Sequence, residues 1–271
     1  MTCDAANPRA AGPVNIWQET FPVRFGSIDR SDRLTLDAVF QFFQEAAISH
    51  AENLGVGREA MARTGQAWIL SRMTVQVDRR PNYCETVTVR TWPRGGEKLF
   101  AIRDFDIRDK ADIPVISARS GWLIVDMEKR RPLRPQSVMD ALPANEGLDA
   151  LTSGPVGLAD RSADGSGISL QKTGERKALY TDVDYNGHVN NVRYIQWIED
   201  ALNPQLLEKA DRVRLDINYL NEILSGEAVE ILSAPLEIEN GGVSSSRAFA
   251  FEGRKTVNKQ AAFRAELRLN E

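Results

Sequence analysis

Apolar residues recur along this chain in two rhythms. From Leu36 to about Asn53 the positions Leu36, Val39, Phe40, Phe43, Ala47 and Ile48 fall at helical spacing, and Gly55 closes the run. Residues 21–25 ahead of that helix alternate like a short strand, and a helical turn follows near 57–64. Four runs rich in Val, Ile, Thr and aromatics then predict strands at Trp68–Val77, Glu85–Trp92, Leu99–Arg108 and Val115–Val125. They are separated by turn-forming PNYC, PRGGE and DKADIP. Residues 153–169 are small, polar and Gly-rich and read as a linker. The order then returns: a strand near Lys177–Asp182, a helix from Asn191 to about Leu207, and β-runs at 212–220, 227–237, 243–252 and 260–269.

A strand, a long helix and four strands, stated twice, imply an internal duplication. Phe25–Ala46 lies on Tyr180–Ala201 at one constant offset of 155 without gaps: Asp29 meets Asp184, Gln41 meets Gln196, Ala46 meets Ala201, and Phe42 meets Trp197. The fold class expected is therefore α+β, in two units that each pack a helix on an antiparallel sheet. The divisions expected are 14–150 for the first unit, 151–171 for the linker and 172–271 for the second.

Composition narrows the picture. With 271 residues, 42% apolar and 27% charged, the chain is globular rather than disordered. No apolar run approaches the roughly 20 residues needed to span a bilayer. The first residues show no basic-then-apolar leader, and two cysteines, Cys3 and Cys84, make neither a disulfide framework nor a zinc site. A reducing cytoplasm is the location expected. Lys+Arg and Asp+Glu balance at 20 and 20 over residues 1–150, then stand at 14 and 18 over the rest. Residues 79–134 hold 13 basic and 8 acidic side chains, a local excess of five. That is far from a nucleic-acid footprint, and it leaves room for an acidic partner.

The two copies differ in chemistry. The turn before the second helix reads Asp184-Tyr-Asn186-Gly-His188-Val-Asn190-Asn191, whereas the first copy has Asp29, Ser31 and Arg33 at the matching positions. Only two histidines exist. His50 falls in the last turns of an amphipathic helix, where a structural role is expected. His188 lies just ahead of a helix, with Asn190 as its expected N-cap. Asp, Asn and Gly also favour turns for purely conformational reasons, so spacing alone leaves the role of His188 open.

D-x-N-x-H-V-N-N followed by Tyr194 and Trp197 (VNNVRYIQW) resembles the signature of acyl-acyl carrier protein thioesterases, which end fatty acid synthesis by hydrolysing the acyl thioester. RLTLDAVFQFFQEAA, AWILSRMTVQVDRRPNYCETVTVRTWP and INYLNEILSGE extend the resemblance over roughly residues 17–270. It implies two tandem hotdog units, each a long helix wrapped by an antiparallel sheet. It also implies a catalytic set of Asp184, Asn186, His188 and an acid about 34 positions on, at Glu222. CETVTV (84–89) aligned with GEAVEI (226–231) at offset 142 puts Arg80 opposite Glu222, so the second unit is the expected chemical half. Plant members commonly carry Cys after this Glu, once proposed as a nucleophile. Here the position is Ile223, and a water-based mechanism follows. Glu222 is the expected general base, with His188 sharing the proton, Asp184 orienting it, and Asn186 holding the water or carbonyl.

The same resemblance implies an acyl pocket supplied mostly by the first unit. Val39, Phe42, Phe43, Trp68 and Trp197 are candidates that could equally be plain core. The partner implied is an acidic acyl carrier protein, with Arg79, Arg80, Arg130 and Arg131 as docking candidates on the basic stretch. No metal or organic cofactor is implied. A homodimer is compatible with the fold and is not demonstrated by the sequence. Three other readings compete: a coenzyme A thioesterase, an enoyl-thioester hydratase and a non-catalytic acyl-carrier binding protein. The hydratase motif D-x-N-P-x-H spaces Asp and His by five, against four here, and the intact second-copy residues disfavour the binding protein.

Overall fold

The computed structural model describes residues 12–140, 142–161, 165, 167–237 and 246–270. Cys3 lies outside them. The chain runs β1 (Trp17–Pro22), α1 (Leu36–Asn53), α2 (Arg58–Arg63), β2 (Gln66–Val77), β3 (Thr86–Glu97), β4 (Phe100–Arg108), β5 (Pro114–Asp126), β6 (Arg131–Leu133) and α3 (Gln136–Met139). It continues through β7 (Gln171–Lys177), α4 (Asn191–Asp200), α5 (Pro204–Lys209), β8 (Arg212–Tyr219), β9 (Ala228–Leu236), β10 (Arg247–Lys255) and β11 (Ala261–Asn270). The single helix expected over 191–207 is two. Asn203 accepts from the Gln205 N–H and Pro204 takes the first helical position, so α4 must stop and a new helix starts. The strand expected at 177–182 ends at Lys177, and Tyr180–Asp182 form a 3₁₀ turn.

The two halves do not carry separate sheets. Their strands form one sheet in the order β1-β3-β4-β5-β2-β8-β11-β10-β9-β7, with β6 added on β5. The halves join where β2 pairs antiparallel with β8, from Arg72 opposite Asn218 to Val77 opposite Val213. Each of those strands would otherwise be an open edge, and pairing them satisfies both rows of backbone groups. At offset 142 Thr74 and Asp216 are equivalent residues. They sit directly opposite one another, and the Thr74 hydroxyl donates to Asp216 Oδ1 at 2.5 Å. A pseudo-twofold axis therefore passes through this pair.

Alternation sorts the sheet into two faces. One row across five strands reads Asp104, Arg119, Thr74, Asp216 and Glu266. The neighbouring row holds Phe105, Ala118, Val75, Leu215 and Leu267, all buried. That apolar face receives α1 and α4, which pack against each other. Their side chains share one core in which Val39, Phe43 and Phe105 of the first half join Ile195, Ile198 and Phe263 of the second. On the polar face, the stretch expected as a linker is strapped down. The Leu158 N–H donates to Asn218 Oδ1 at 2.8 Å, and Asn218 returns a bond to the Val156 carbonyl at 2.7 Å.

Candidate active site

Asp184 organises the turn ahead of α4. Its Oδ1 accepts from the Asn186 N–H at 2.8 Å, and its own N–H donates to the His188 carbonyl at 3.0 Å. Gly187 closes the turn at φ +87°, a conformation that costs residues with a Cβ. The Val189 N–H then donates to the Ile223 carbonyl at 2.8 Å, and His188 forms a bridge with Leu224. These bonds lay the turn along the loop after β8 that carries Glu222. Behind both, Tyr194 is buried. Its phenol is pushed above its ordinary range by burial and then by the negative charges of Asp184 and Glu222, against a hydrogen bond from the Ile223 backbone. The backbone pairing sets the turn of Asp184, Asn186 and His188 against the loop of Glu222. Asn186 and Glu222 are exposed, Asp184 and His188 half-buried. Among the described residues no side-chain hydrogen bond engages His188 or Glu222. An open groove of about 520 Å³ borders the turn at Asp184 and is lined by Tyr180, Thr181, Val183, Asp184, Tyr185 and Ser225; Asn186, His188 and Glu222 are not part of its lining.

The first copy repeats this scaffold bond for bond and fills it with other chemistry. Ser31 N–H donates to Asp29 Oδ1 at 2.8 Å, Asp29 N–H to the Arg33 carbonyl at 2.9 Å, and Leu34 N–H to the Pro81 carbonyl at 2.8 Å. Pro81 thus stands where Ile223 stands, so Arg80 occupies the place of Glu222. Arg80 is 4% exposed, pairs with Asp29 Oδ2 at 2.6 Å and donates to the Leu207 carbonyl at 2.9 Å. Arg33 donates to the carbonyls of Leu207, Glu208 and Ala210, all at the end of α5. The Leu36 and Asp37 N–H groups at the start of α1 are taken up by the Glu199 carboxylate of α4, at 3.0 and 3.3 Å. The first-copy site is closed on itself. At the second copy the residue matching Glu199 is Gln44, which makes no hydrogen bond to the start of α4 among the described residues.

Glu199 was not singled out by the sequence pattern. Burial, reinforced by the nearby Asp37 charge, raises its carboxyl to about 8, against the opposing pull of the two N–H groups and Arg80. A carboxyl whose folded pKa is raised binds its proton more tightly folded than unfolded. Stability therefore falls as pH rises from about 4.5 to about 8 and levels off above that. Thermal unfolding of Glu199→Gln between pH 5 and 9 is expected to show a flatter profile than the parent chain. An unchanged slope would reject this source.

The other histidine is structural. Arg103 Nη1 donates to His50 Nδ1 at 3.0 Å, so the proton sits on Nε2, which donates to the Val14 carbonyl at 2.9 Å. Burial and then the Arg103 charge lower His50 to about 4, keeping it neutral.

The remaining candidates separate. Val39, Phe42, Phe43 and Trp197 lie in the shared core, Phe42 stacked on Phe21 at 4.7 Å and Trp197 against Tyr194 at 5.4 Å. Trp68 lies outside that cluster and donates from its indole to the Val56 carbonyl at 2.9 Å. Arg80 as a docking residue is corrected: its guanidinium is buried and committed to Asp29. Arg79 is held by Glu85 at 2.9 Å and Asp109 at 3.5 Å. Arg130 and Arg131 are exposed on the β5–β6 hairpin. Cys84 is a free, exposed thiol at the turn position matching Gly226, and Ile223 is fully buried. Among the described residues no cluster of three or more His, Cys, Asp or Glu side chains converges as metal ligands.

Comparison with known proteins agrees with this architecture. Residues 14–142 match the family model of the acyl-ACP thioesterase N-terminal domain, and residues 169–265 that of the acyl-ACP thioesterase C-terminal domain. The chain belongs to the acyl-ACP thioesterase family. A chloroplastic acyl-[acyl-carrier-protein] hydrolase of Cuphea viscosissima is 28% identical over 239 residues, covering 81% of this chain and 55% of that protein. A chloroplastic oleoyl-acyl carrier protein thioesterase of Arabidopsis thaliana is 25% identical over 256 residues, covering 85% and 68%. This thioesterase-family chain spans little more than half the length of the curated relatives it matches first. Among solved structures, an acyl-ACP thioesterase of Bacteroides thetaiotaomicron superposes with a TM-score of 0.77 at 25% identity, covering 95% of this chain and 98% of that one. The 12:0-ACP thioesterase of Umbellularia californica shares the fold at TM-score 0.78 and 21% identity, covering 95% and 98%. The family's tandem hotdog is what the joined sheet and its two helices form.

Proposed function

We propose that this chain hydrolyses the thioester of fatty acyl-acyl carrier protein, releasing free fatty acid, at Asp184, Asn186, His188 and Glu222. The observation that carries the proposal is the contrast between equivalent turns: one is filled by Arg33, Arg80 and the α5 carbonyls, and the other is open beside a groove. Glu222 takes the proton from an attacking water. Water oxygen adds to the carbonyl carbon, and as the C–S bond breaks His188, its imidazole set by the turn that Asp184 organises, relays the proton to the departing sulfur, releasing acid and thiol. Asn186 holds the water or the carbonyl oxygen. The start of α4 faces the developing oxyanion, as the start of α1 faces the Glu199 carboxylate in the inert copy. The Glu199 carboxyl held there is a standing example of an acceptor oxygen on that helix terminus. The acyl chain is assigned to the region of Val39, Phe42, Phe43, Trp68 and Trp197.

Release of free thiol from acyl carriers and acyl-coenzyme A of graded chain length tests the proposal. Carrier-linked substrates are expected to be preferred, and double charge reversal at Arg130 and Arg131 to raise KM for them selectively. Preference for coenzyme A would favour the alternative thioesterase reading. No thiol release from any substrate would reject hydrolysis.

A further inference from the structure

Pseudo-symmetry relates two contacts that have opposite electrical character. In the first copy, Arg30 reaches across to α5 of the other unit and pairs with Glu208 at 2.5 Å. Tyr185 matches Arg30 at offset 155, and it meets α2 of the other unit, where the Arg58 guanidinium lies 3.8 Å from the Tyr185 ring centroid. So at each turn the opposite unit contributes a short helix. At the inert turn that helix brings an acid, and both charges are cancelled. At the open turn it brings a cation and sets it on a neutral ring.

Arg58 is exposed, and among the described residues no carboxylate pairs with its guanidinium. Glu52, the nearby acid, accepts instead from the Arg58 backbone N–H at 2.8 Å. Stacking on Tyr185 fixes the guanidinium plane and leaves its N–H edges free, the arrangement in which arginine reads a phosphate. Tyr185 lines the groove next to Asp184, and the surrounding surface is apolar, with Leu179, Tyr180 and Leu224 all exposed. A neutral, amide-bearing chain that ends in a phosphate fits a groove of mixed lining with Arg58 at its rim, since the other nearby cation, Arg193, is engaged by Asp182 and the Thr181 carbonyl.

We propose that Arg58, stacked on Tyr185 at the rim of the groove, receives the phosphate of a phosphopantetheine arm whose thioester lies at His188 and Glu222. The inference rests on the hydrolytic reading above, and it makes the first unit part of the second unit's binding site. Carrier-borne and coenzyme-borne thioesters share this phosphate, so Arg58 serves both, and selectivity between them lies elsewhere.

Calorimetric titration of the intact protein with phosphopantetheine and with pantetheine tests it without hydrolysis. The parent chain is expected to bind the phosphorylated form about tenfold or more tightly, the worth of one charge-assisted contact. Arg58→Ala removes that gap, Arg58→Glu inverts it and Arg58→Lys keeps part of it. Tyr185→Phe preserves the gap, and Tyr185→Ala narrows it. Equal binding of the two forms by the parent chain overturns the inference, as does a gap that survives in Arg58→Ala. A protein that shows the gap and releases no thiol would instead reject the hydrolytic reading alone.

Discussion

Glu222→Gln is expected to lower kcat for thioester hydrolysis by about 100- to 10,000-fold, the usual contribution of a positioned general base, and to leave KM nearly unchanged. Gln keeps the shape of Glu and loses only the ability to take a proton. The residue is exposed at a loop whose geometry is held by backbone bonds such as Val189 N–H to the Ile223 carbonyl, so the fold does not depend on it. His188→Ala and Asn186→Ala are expected to lose activity as well, and because the groups act together their losses do not add. Near-parental turnover by Glu222→Gln in steady-state thiol release would falsify the base assignment.

Phe43→Ala is expected to cost about 3–5 kcal/mol, the range for emptying a buried aromatic site. Phe43 is 1% exposed, and its ring centroid lies 4.8 Å from that of Phe105. For a chain of this size the melting temperature should drop by roughly 5–10 °C. The more telling expectation is that both halves unfold together. One sheet runs through the β2–β8 pairing, and one core holds Phe43 with Ile198 and Phe263. Calorimetry should show a single transition before and after the substitution. Two resolved transitions would mean that the shared core does not couple the units.

Local pattern carried much of this molecule. The helical run from Leu36 ends at Asn53, and the strand runs at 212–220 and 260–269 lie within a residue of β8 and β11. The offset of 142 found in six residues survives in the structure as a shared turn, with positive φ at both Cys84 and Gly226. The break at Ala201–Asn203 was legible too, since Pro204 cannot lie within a helix, but helical periodicity hid it. Arg80 shows the limit. As one of two adjacent arginines in a basic stretch it reads as surface charge, yet its partners are Asp29, 51 positions before it, and Leu207, 127 after it. Glu199 is similar, an acid on an amphipathic helix whose hydrogen-bond partners lie 163 and 162 positions away.

What the amino-acid sequence determined by itself was the order of elements, their duplication, and which copy keeps Asn, His and Glu. Those follow from periodicity and from spacing within a few tens of residues. Tertiary structure alone decided that the halves share one sheet, because pairing β2 with β8 satisfies two edges that no local pattern assigns to each other. It also decided that α5 shuts one turn while α2 brings Arg58 to Tyr185 at the other. Both contacts cross between units, and their character depends on which charge the distant helix delivers.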